Sequence, residues 1–270
     1  MPRGAKGGFN TWWTTFGQGP RAALLIHCSL AEVGVWGGMA RDLSGALTMT
    51  AFDLPGHGRS DEWDDRGEMS AVCAGIAADF AQDDAPVDVI GHSFGAVVAL
   101  RLAIDRPELV RSLVMIEPVF FAAGLRARPD ACAAHLADHQ AFEAAMAVGD
   151  LALAAQGFVA AWGGGRPWSK FSADQQARIM QQMPLIAAAS PALYDDVGGM
   201  LAPGVLEAVN VPVLLLEGSD APAIIPAINE GLASRLPNAR RGVIGGAGHM
   251  SVATHPAQVS AEVLRFLRDV

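Results

Sequence analysis

A chain of 270 residues is long enough to bury a substantial core, in one large domain or in a domain with an insertion. Its net charge of −9 repels phosphate backbones and no basic cluster offsets it, so we expect no nucleic-acid partner. Apolar residues make up 51% of the chain, but charges interrupt each long apolar run before it reaches about 18 residues, so we predict no transmembrane helix and no membrane partner.

Short apolar runs bounded by Gly, Pro or Asp alternate with longer helical patterns along the chain. Most of the runs are nearly continuous in apolar character, which predicts strands buried on both faces, as in a parallel sheet covered by helices. The predicted strands span residues 22–27, 47–53, 86–91, 111–117, 211–218 and 239–245. The helical patterns span residues 33–44, 69–83, 94–105, 226–236 and 256–268. This alternation predicts a doubly wound α/β domain with a mostly parallel sheet.

One long segment interrupts this alternation. After the predicted strand 111–117, the chain has no convincing strand pattern until about residue 203. This segment contains alanine-rich helical patterns and a Gly-rich connection, "WGGGRPW". We therefore predict a helical cap over residues 119–203, inserted into a core formed by residues 1–118 and 204–270. Large apolar residues of this cap are candidates for a substrate pocket: Phe120, Phe121, Met146, Phe158, Trp162, Trp168 and Met183.

The location is predicted from the cysteines and the first ten residues. The three cysteines, an odd number without CxxC spacing, indicate free thiols in a reducing compartment. The start "MPRGAKGGFN" is basic but lacks the apolar segment of a secretory signal. We therefore expect a cytoplasmic location. The oligomeric state stays open, with a homo-oligomer among the alternatives.

A serine stands at a tight corner between a predicted strand and a predicted helix. Gly91-His92-Ser93-Phe94-Gly95 matches the pattern G-x-S-x-G, and the strand before it and the helix after it are the context in which that pattern forms a nucleophile elbow. The glycines allow close backbone approach, and the turn pushes the serine hydroxyl out above the sheet edge. The helix N-terminus adds free N–H groups that favour a developing oxyanion.

Four segments in this order resemble the α/β-hydrolase superfamily over nearly the whole chain. Besides the elbow they are "LLIHCSLAEVGVW", "DLPGHGRS" at residues 53–60 and "GAGHM" at residues 246–250. The resemblance implies the α/β-hydrolase fold and a serine nucleophile. Family members that open epoxides or remove halogen from haloalkanes carry an aspartate where Ser93 stands, so those activities are disfavoured.

A serine nucleophile needs a base, and the base needs an orienting carboxylate. His249 is the predicted base, since it follows a late strand on a glycine-flanked loop and precedes the final helix. Asp220 is the favoured acid, because it follows the penultimate strand, where the family's acid usually resides. It lies two residues after Gly218 rather than the usual three. Glu117, at the end of the strand after the elbow helix, is the second candidate.

The resemblance also places the donors that would bind the oxyanion. One is the backbone N–H of Phe94, directly after the nucleophile, and the other is the backbone N–H of Ser29 in the loop after "LLIH", although Cys28 stands where the family usually has glycine. His27 and His57 are expected to hold loops together. No cofactor motif is visible, so we expect none.

One helical pattern carries three side chains that could bind a metal ion. Cys132, His135 and His139 share one helical face, but three ligands on one helix would spread over about 10 Å of its axis. We therefore expect no metal there, and a solvated or packing face instead.

Together these features predict a serine esterase that acts on a small to medium-sized, partly apolar ester through an acyl-enzyme intermediate. Two alternatives remain at this point. The same triad serves C–C bond hydrolysis of diketones and perhydrolysis in related folds. A non-catalytic α/β-hydrolase-like binding protein is the other, because a fold alone does not determine function.

Overall fold

The computed structural model describes residues 2–270, and its centre is an eight-stranded sheet. The strands follow one another along the chain as β1 (Arg3–Lys6), β2 (Phe9–Phe16), β3 (Arg21–Ile26), β4 (Leu47–Phe52), β5 (Val87–His92), β6 (Val110–Ile116), β7 (Val213–Gly218) and β8 (Ala239–Ile244). Their order across the sheet is β1-β2-β4-β3-β5-β6-β7-β8. The pairs β1–β2 and β2–β4 are antiparallel and all the other pairs are parallel. The predicted doubly wound, mostly parallel sheet is confirmed.

All six predicted strands are present, and two further strands precede them. The strand β5 is buried at every position and so is β7, as their continuous apolar runs predict. The first hairpin was missed. Its second strand, with sequence FNTWWTTF, mixes buried and exposed positions with several polar residues, so its apolar signal is weak.

Within residues 2–270, ten α-helices connect these strands or pack around them. They are α1 (Gly37–Leu43), α2 (Met69–Ala81), α3 (Phe94–Asp105), α4 (Phe121–Ala127), α5 (Ala133–Ala147), α6 (Leu151–Trp162), α7 (Ala173–Tyr194), α8 (Ile224–Ala233), α9 (Ser251–Thr254) and α10 (Pro256–Leu267). Short 3-10 helices span Val33–Trp36, Pro107–Leu109, Asp130–Cys132, Trp168–Lys170 and Leu206–Ala208. Across the residues described, no helix combines the length and the apolar character needed to cross a bilayer.

The sheet separates two hydrophobic clusters. One cluster contains residues of α2, α3, α4 and α8, and the other contains residues of α1, α9 and α10. Because the strand side chains alternate between these clusters, both faces of the central strands are dry. The carboxyl ends of the parallel strands therefore offer the accessible edge for chemistry, as in other open α/β sheets.

Helices α4 to α7 fill the segment between β6 and β7. The later three form a small cluster of their own around Ala145, Ala155 and Met183. Helix α4 instead packs against α8 of the sheet layer, where a Cβ on Gly124 would lie only 2.9 Å from the side chain of Ile228. The division into a core and a cap at residues 119–203 stays a prediction, and the packing of α4 ties the start of that segment to the core.

Candidate active site

Ser93 occupies the sharp turn between β5 and α3. Its backbone angles, φ 56° and ψ −119°, lie in a region that costs a non-glycine residue about 1–3 kcal/mol. The two glycines of the motif make the turn feasible: a Cβ on Gly91 would collide with the carbonyl oxygen of Gly95, and a Cβ on Gly95 would collide with that of Ile26. The turn thus keeps the backbone of Ser93 in a strained conformation that places its hydroxyl at the start of α3.

His249 lies on the loop between β8 and α9 and meets Ser93. Its Nε2 is 3.0 Å from the serine Oγ, which is hydrogen-bond distance between a nucleophile and a base. The imidazole is buried, and the Trp162 ring of α6 packs edge-on against it with ring centroids 4.7 Å apart. The structure therefore brings together the two side chains that the sequence analysis paired.

Glu117 stands on the other side of His249. It follows β6 directly in a left-handed conformation, φ 51°, and is fully buried. Its Oε2 lies 3.2 Å from His249 Nδ1, and its Oε1 accepts a hydrogen bond from the backbone N–H of Gly218. The carboxylate thus fixes the imidazole with Nε2 directed at Ser93.

Asp220, the favoured acid of the sequence analysis, is not at this position. Its side chain is exposed and accepts a hydrogen bond from the hydroxyl of Ser219 at 2.9 Å. The backbone N–H of Asp220 donates to the carbonyl of Ala247 at 2.9 Å, which anchors the residue at the rim of the His249 loop. The structure therefore places the carboxylate of Glu117, and not that of Asp220, against the His249 imidazole. The one-residue departure from the usual spacing after Gly218 was the signal in the sequence.

His92 holds the loop that carries His249, through a contact between residues 157 positions apart that no sequence pattern indicates. Its Nε2–H donates to the backbone carbonyl of His249 at 2.9 Å, and the two rings lie 5.3 Å apart. The side chain is fully buried and burial lowers its pKa to about 3, so it stays neutral. The only sequence signal was its place beside Ser93, at a position where the motif accepts many residues.

Burial shifts Glu117 and His249 toward their neutral forms. It raises the pKa of Glu117 to about 7 and lowers the pKa of His249 to about 3, since the charged form of each loses its water. A neutral imidazole can accept a proton from Ser93. The interaction with Glu117 then becomes strongest at the moment when the imidazole is charged.

The two predicted oxyanion donors are Phe94, adjacent to Ser93 in the chain, and Ser29, which lines the same cavity. Phe94 is the first residue of α3, and first-turn N–H groups have no partner within the helix. Ser29 lines the same cavity as Ser93. Its loop is held by two neutral histidines: His27 Nδ1–H donates to the carbonyl of Cys28 at 2.7 Å, and His57 Nε2 accepts from the N–H of Leu30 at 3.0 Å. The expectation that His27 and His57 hold loops together is confirmed.

A cavity of about 110 Å³ opens onto Ser93 and His249. For scale, a dry cavity of about 150 Å³ accommodates benzene. Three of the seven predicted cap residues line it, namely Phe121, Phe158 and Trp162. The other four pack elsewhere: Met146, Trp168 and Met183 within the cap cluster, and Phe120 in the core.

Two of the three candidate metal ligands on α5 and its N-terminus line this cavity. His135 and His139 line it together with Tyr194, whereas Cys132 is buried in the core cluster under α5. Across residues 2–270, no group of three or more His, Cys, Asp or Glu side chains is arranged to hold a metal ion.

The comparisons with known proteins agree with this geometry. A model of the alpha/beta hydrolase family matches residues 23–262. A stretch of 114 residues is 38% identical to the lipase LipV of Mycobacterium tuberculosis, over 41% of this chain and 42% of LipV. A stretch of 115 residues is 34% identical to the pimeloyl-acyl-carrier-protein methyl ester esterase of Klebsiella pneumoniae, over 41% of this chain and 42% of that esterase. The matches thus span less than half the length of these two relatives.

A solved structure of similar fold covers the whole chain. The CarC enzyme, a serine hydrolase involved in carbazole degradation, is similar with a TM-score of 0.71 at 20% identity. The similarity covers 100% of this chain and 98% of that chain. At this identity the likeness concerns the fold alone.

Proposed function

Because this chain belongs to the alpha/beta hydrolase family, we propose that it is a serine hydrolase cleaving a small to medium-sized, partly apolar carboxylic ester. One observation carries the proposal: Ser93, His249 and Glu117 form a continuous line of contacts, 3.0 Å from Oγ to Nε2 and 3.2 Å from Nδ1 to Oε2. This line joins a nucleophile, a base and an orienting acid in the order that acyl transfer needs.

The first half of the reaction forms an ester bond to the protein. Ser93 Oγ attacks the carbonyl carbon of the substrate while His249 Nε2 takes the hydroxyl proton, and Glu117 stabilises the resulting imidazolium. The tetrahedral oxyanion accepts hydrogen bonds from the backbone N–H groups of Phe94 and Ser29. The alcohol then leaves with the proton from His249, and the acyl group stays on Ser93.

The second half regenerates the serine. Water enters beside His249, which removes one proton as the oxygen attacks the acyl carbon, and the bond to Ser93 Oγ breaks as that proton returns to the hydroxyl. The carboxylic acid departs. Trp162 covers the imidazole from the cap side and limits the access of bulk water to this step.

The cavity and the relatives support an ester as the substrate. The cavity contacts both Ser93 and the Ser29 loop, so the acyl group bound to Ser93 would extend into it. Its rings suit a partly apolar acyl group of modest size. The two relatives are named as a lipase and a methyl ester esterase.

We also propose a cytoplasmic location, because all three cysteines are free and buried.

Labelling by a fluorophosphonate probe tests the proposal directly. We expect the folded protein to be labelled at one residue, since the Ser93 hydroxyl contacts the fully buried His249 imidazole, whose lowered pKa of about 3 leaves it free to accept the serine proton. Mass spectrometry should locate the adduct on Ser93, and Ser93→Ala should remain unlabelled. Heat-unfolded wild type is the control, because activation depends on the fold. Equal labelling of wild type and Ser93→Ala would contradict the proposal.

A substrate panel separates ester cleavage from the C–C bond alternative. Nitrophenyl esters of rising acyl length are compared with diketones at equal concentration, with Ser93→Ala as the blank. We expect ester turnover without diketone turnover. Diketone cleavage without ester cleavage would replace the proposed reaction while leaving the same nucleophile in place.

The pH dependence follows from the acid–base pair. Glu117 must be ionised to stabilise the imidazolium, and burial raises its pKa to about 7, so kcat/KM should rise as the pH increases through that value and fall below it. The two groups touch, so the measured pKa belongs to the pair. A pH series on one nitrophenyl ester, corrected for spontaneous hydrolysis, gives the value. A flat profile down to pH 5 would contradict this assignment.

A further inference from the structure

A polar cluster lines part of the cavity, although a purely apolar wall would suffice to bind a plain alkyl chain. His135, Asp138, His139 and Phe142 recur at helical spacing along one face of α5, and this face lines the cavity. Tyr194, at the end of α7, completes the cluster and is the single tyrosine among 270 residues. The mechanism described above uses none of these side chains.

The cluster is held firmly in position. The Tyr194 hydroxyl and His135 Nε2 share a hydrogen bond of 2.8 Å, and the two rings are nearly parallel, with planes 4° apart. His139 stacks on Tyr194 at 3.6 Å between centroids. Phe121 packs against both the tyrosine and His135, at 4.5 and 4.4 Å. Side chains locked in this way lose little freedom when they bind a ligand.

The hydrogen-bonding capacity of the pair exceeds what the protein uses. A tyrosine hydroxyl can donate once and accept twice, and a neutral imidazole has one donor and one acceptor nitrogen. Burial lowers the pKa of His135 to about 4 and raises the pKa of Tyr194, so both are uncharged at neutral pH. Within residues 2–270, His135 Nδ1 has no hydrogen-bond partner, and the hydroxyl has only His135.

The charges around the cluster decide which polar group fits. No Lys or Arg lines the cavity among the residues described, whereas Asp138 does, and Glu143 lies 3.4 Å from His139. A carboxylate would meet two neutral rings and nearby negative charges. An uncharged oxygen such as a ketone or a hydroxyl would meet a donor and an acceptor without that repulsion.

We propose that Tyr194 and His135 select an acyl group that carries an uncharged, hydrogen-bonding oxygen. This inference rests on the proposed function and narrows its substrate class. The Trp162 ring, which packs against both His249 and His135, indicates where this oxygen lies in the acyl group. The ring centroid of Trp162 lies 4.7 Å from that of His249 and 5.8 Å from that of His135, so the polar pair lies one ring away from the catalytic imidazole. The oxygen therefore belongs several bonds from the scissile carbonyl.

Three matched sets of methyl esters test this selection. The keto ester is methyl levulinate, its alkyl counterpart is methyl pentanoate, and its anionic isostere is monomethyl succinate. Two further sets add one and two methylene groups to every member, so that the series covers several distances from Ser93. Proton release at constant pH gives kcat and KM for all nine esters without a chromophore.

We expect wild type to prefer the keto ester to the alkyl ester in at least one set, and to hydrolyse the anionic ester slowest. Tyr194→Phe keeps the ring and its stacking, and it should lower the keto-to-alkyl ratio of kcat/KM by roughly three- to tenfold, mainly through KM. Comparing the ratio between proteins cancels the intrinsic reactivity of the esters. Ser190→Ala is the matched control, because that hydroxyl lines the same cavity but already donates to the carbonyl of Ile186. It should leave the ratio within about twofold of wild type.

The outcomes separate the two proposals. A ratio unchanged by Tyr194→Phe in all three sets, or a preference for the anionic ester, would overturn the selection while the hydrolase stands. Failure of wild type to hydrolyse any methyl or nitrophenyl ester, together with absence of probe labelling, would overturn the proposed function and this inference with it. Thermal unfolding of Tyr194→Phe checks that the ratio is measured on folded protein.

Discussion

Replacing His249 with alanine is expected to lower kcat on a nitrophenyl ester by about 10⁵- to 10⁶-fold. Without the imidazole, no group in contact with Ser93 Oγ can take its proton, because Nε2 of His249 is the hydrogen-bond partner that the structure provides. The effect should match that of Ser93→Ala, and the double variant should be no slower, since the members of a triad act as a unit. Steady-state rates with the uncatalysed rate subtracted give the comparison.

The control for this variant is a second histidine on the same part of the chain. His255 follows α9 directly. Its Nδ1 contacts the hydroxyl of Thr254, not that of Ser93. His255→Ala should stay within a few-fold of wild type. A rate for His249→Ala within tenfold of wild type would refute its role as the base, provided that its unfolding temperature is normal.

The second large effect distinguishes the two carboxylates. Glu117→Gln should lower kcat by about 10⁴-fold, because an amide of similar shape removes the charge that stabilises the imidazolium and can hold the imidazole in the wrong tautomer. Asp220→Asn is the matched control, because it also replaces a carboxylate with an amide, at the end of the neighbouring strand β7. It should leave kcat within about twofold, because that side chain bonds to Ser219 and is exposed.

Stability measurements separate chemistry from folding in this pair. Glu117 is fully buried and accepts a hydrogen bond from Gly218, so Glu117→Gln will also change the free energy of unfolding. Chemical unfolding of both variants determines that change, and rates are compared only where both are folded. Equal, mild losses in the two variants would leave neither carboxylate as the acid. A larger loss in Asp220→Asn would restore the acid first favoured from the sequence.

Local features of the fold and site could be read from the sequence because neighbouring residues encode them. Apolar runs, nearly continuous in most cases, predicted the six parallel strands, and two glycines around Ser93 predicted a corner that no larger residue permits. The first hairpin was lost because its strands are short, partly exposed and mixed in polarity. The assignment of His249 needed only the order of the chain, since one loop before the last helices carries it.

By itself the sequence predicted the sheet and the elbow, because each depends on periodicity or on residues adjacent in the chain. It predicted the pairing of Ser93 with His249, which are 156 positions apart, from the order of the motifs along the chain. Tertiary structure alone decided which carboxylate contacts His249. Glu117 and His249 are 132 positions apart, and their contact depends on how β6 and β7 align and on the reach of a glutamate past Gly218. The same holds for His92 beneath the His249 loop and for Tyr194 against His135, whose meeting depends on how the helices pack. Such distances arise from packing, which no local pattern records.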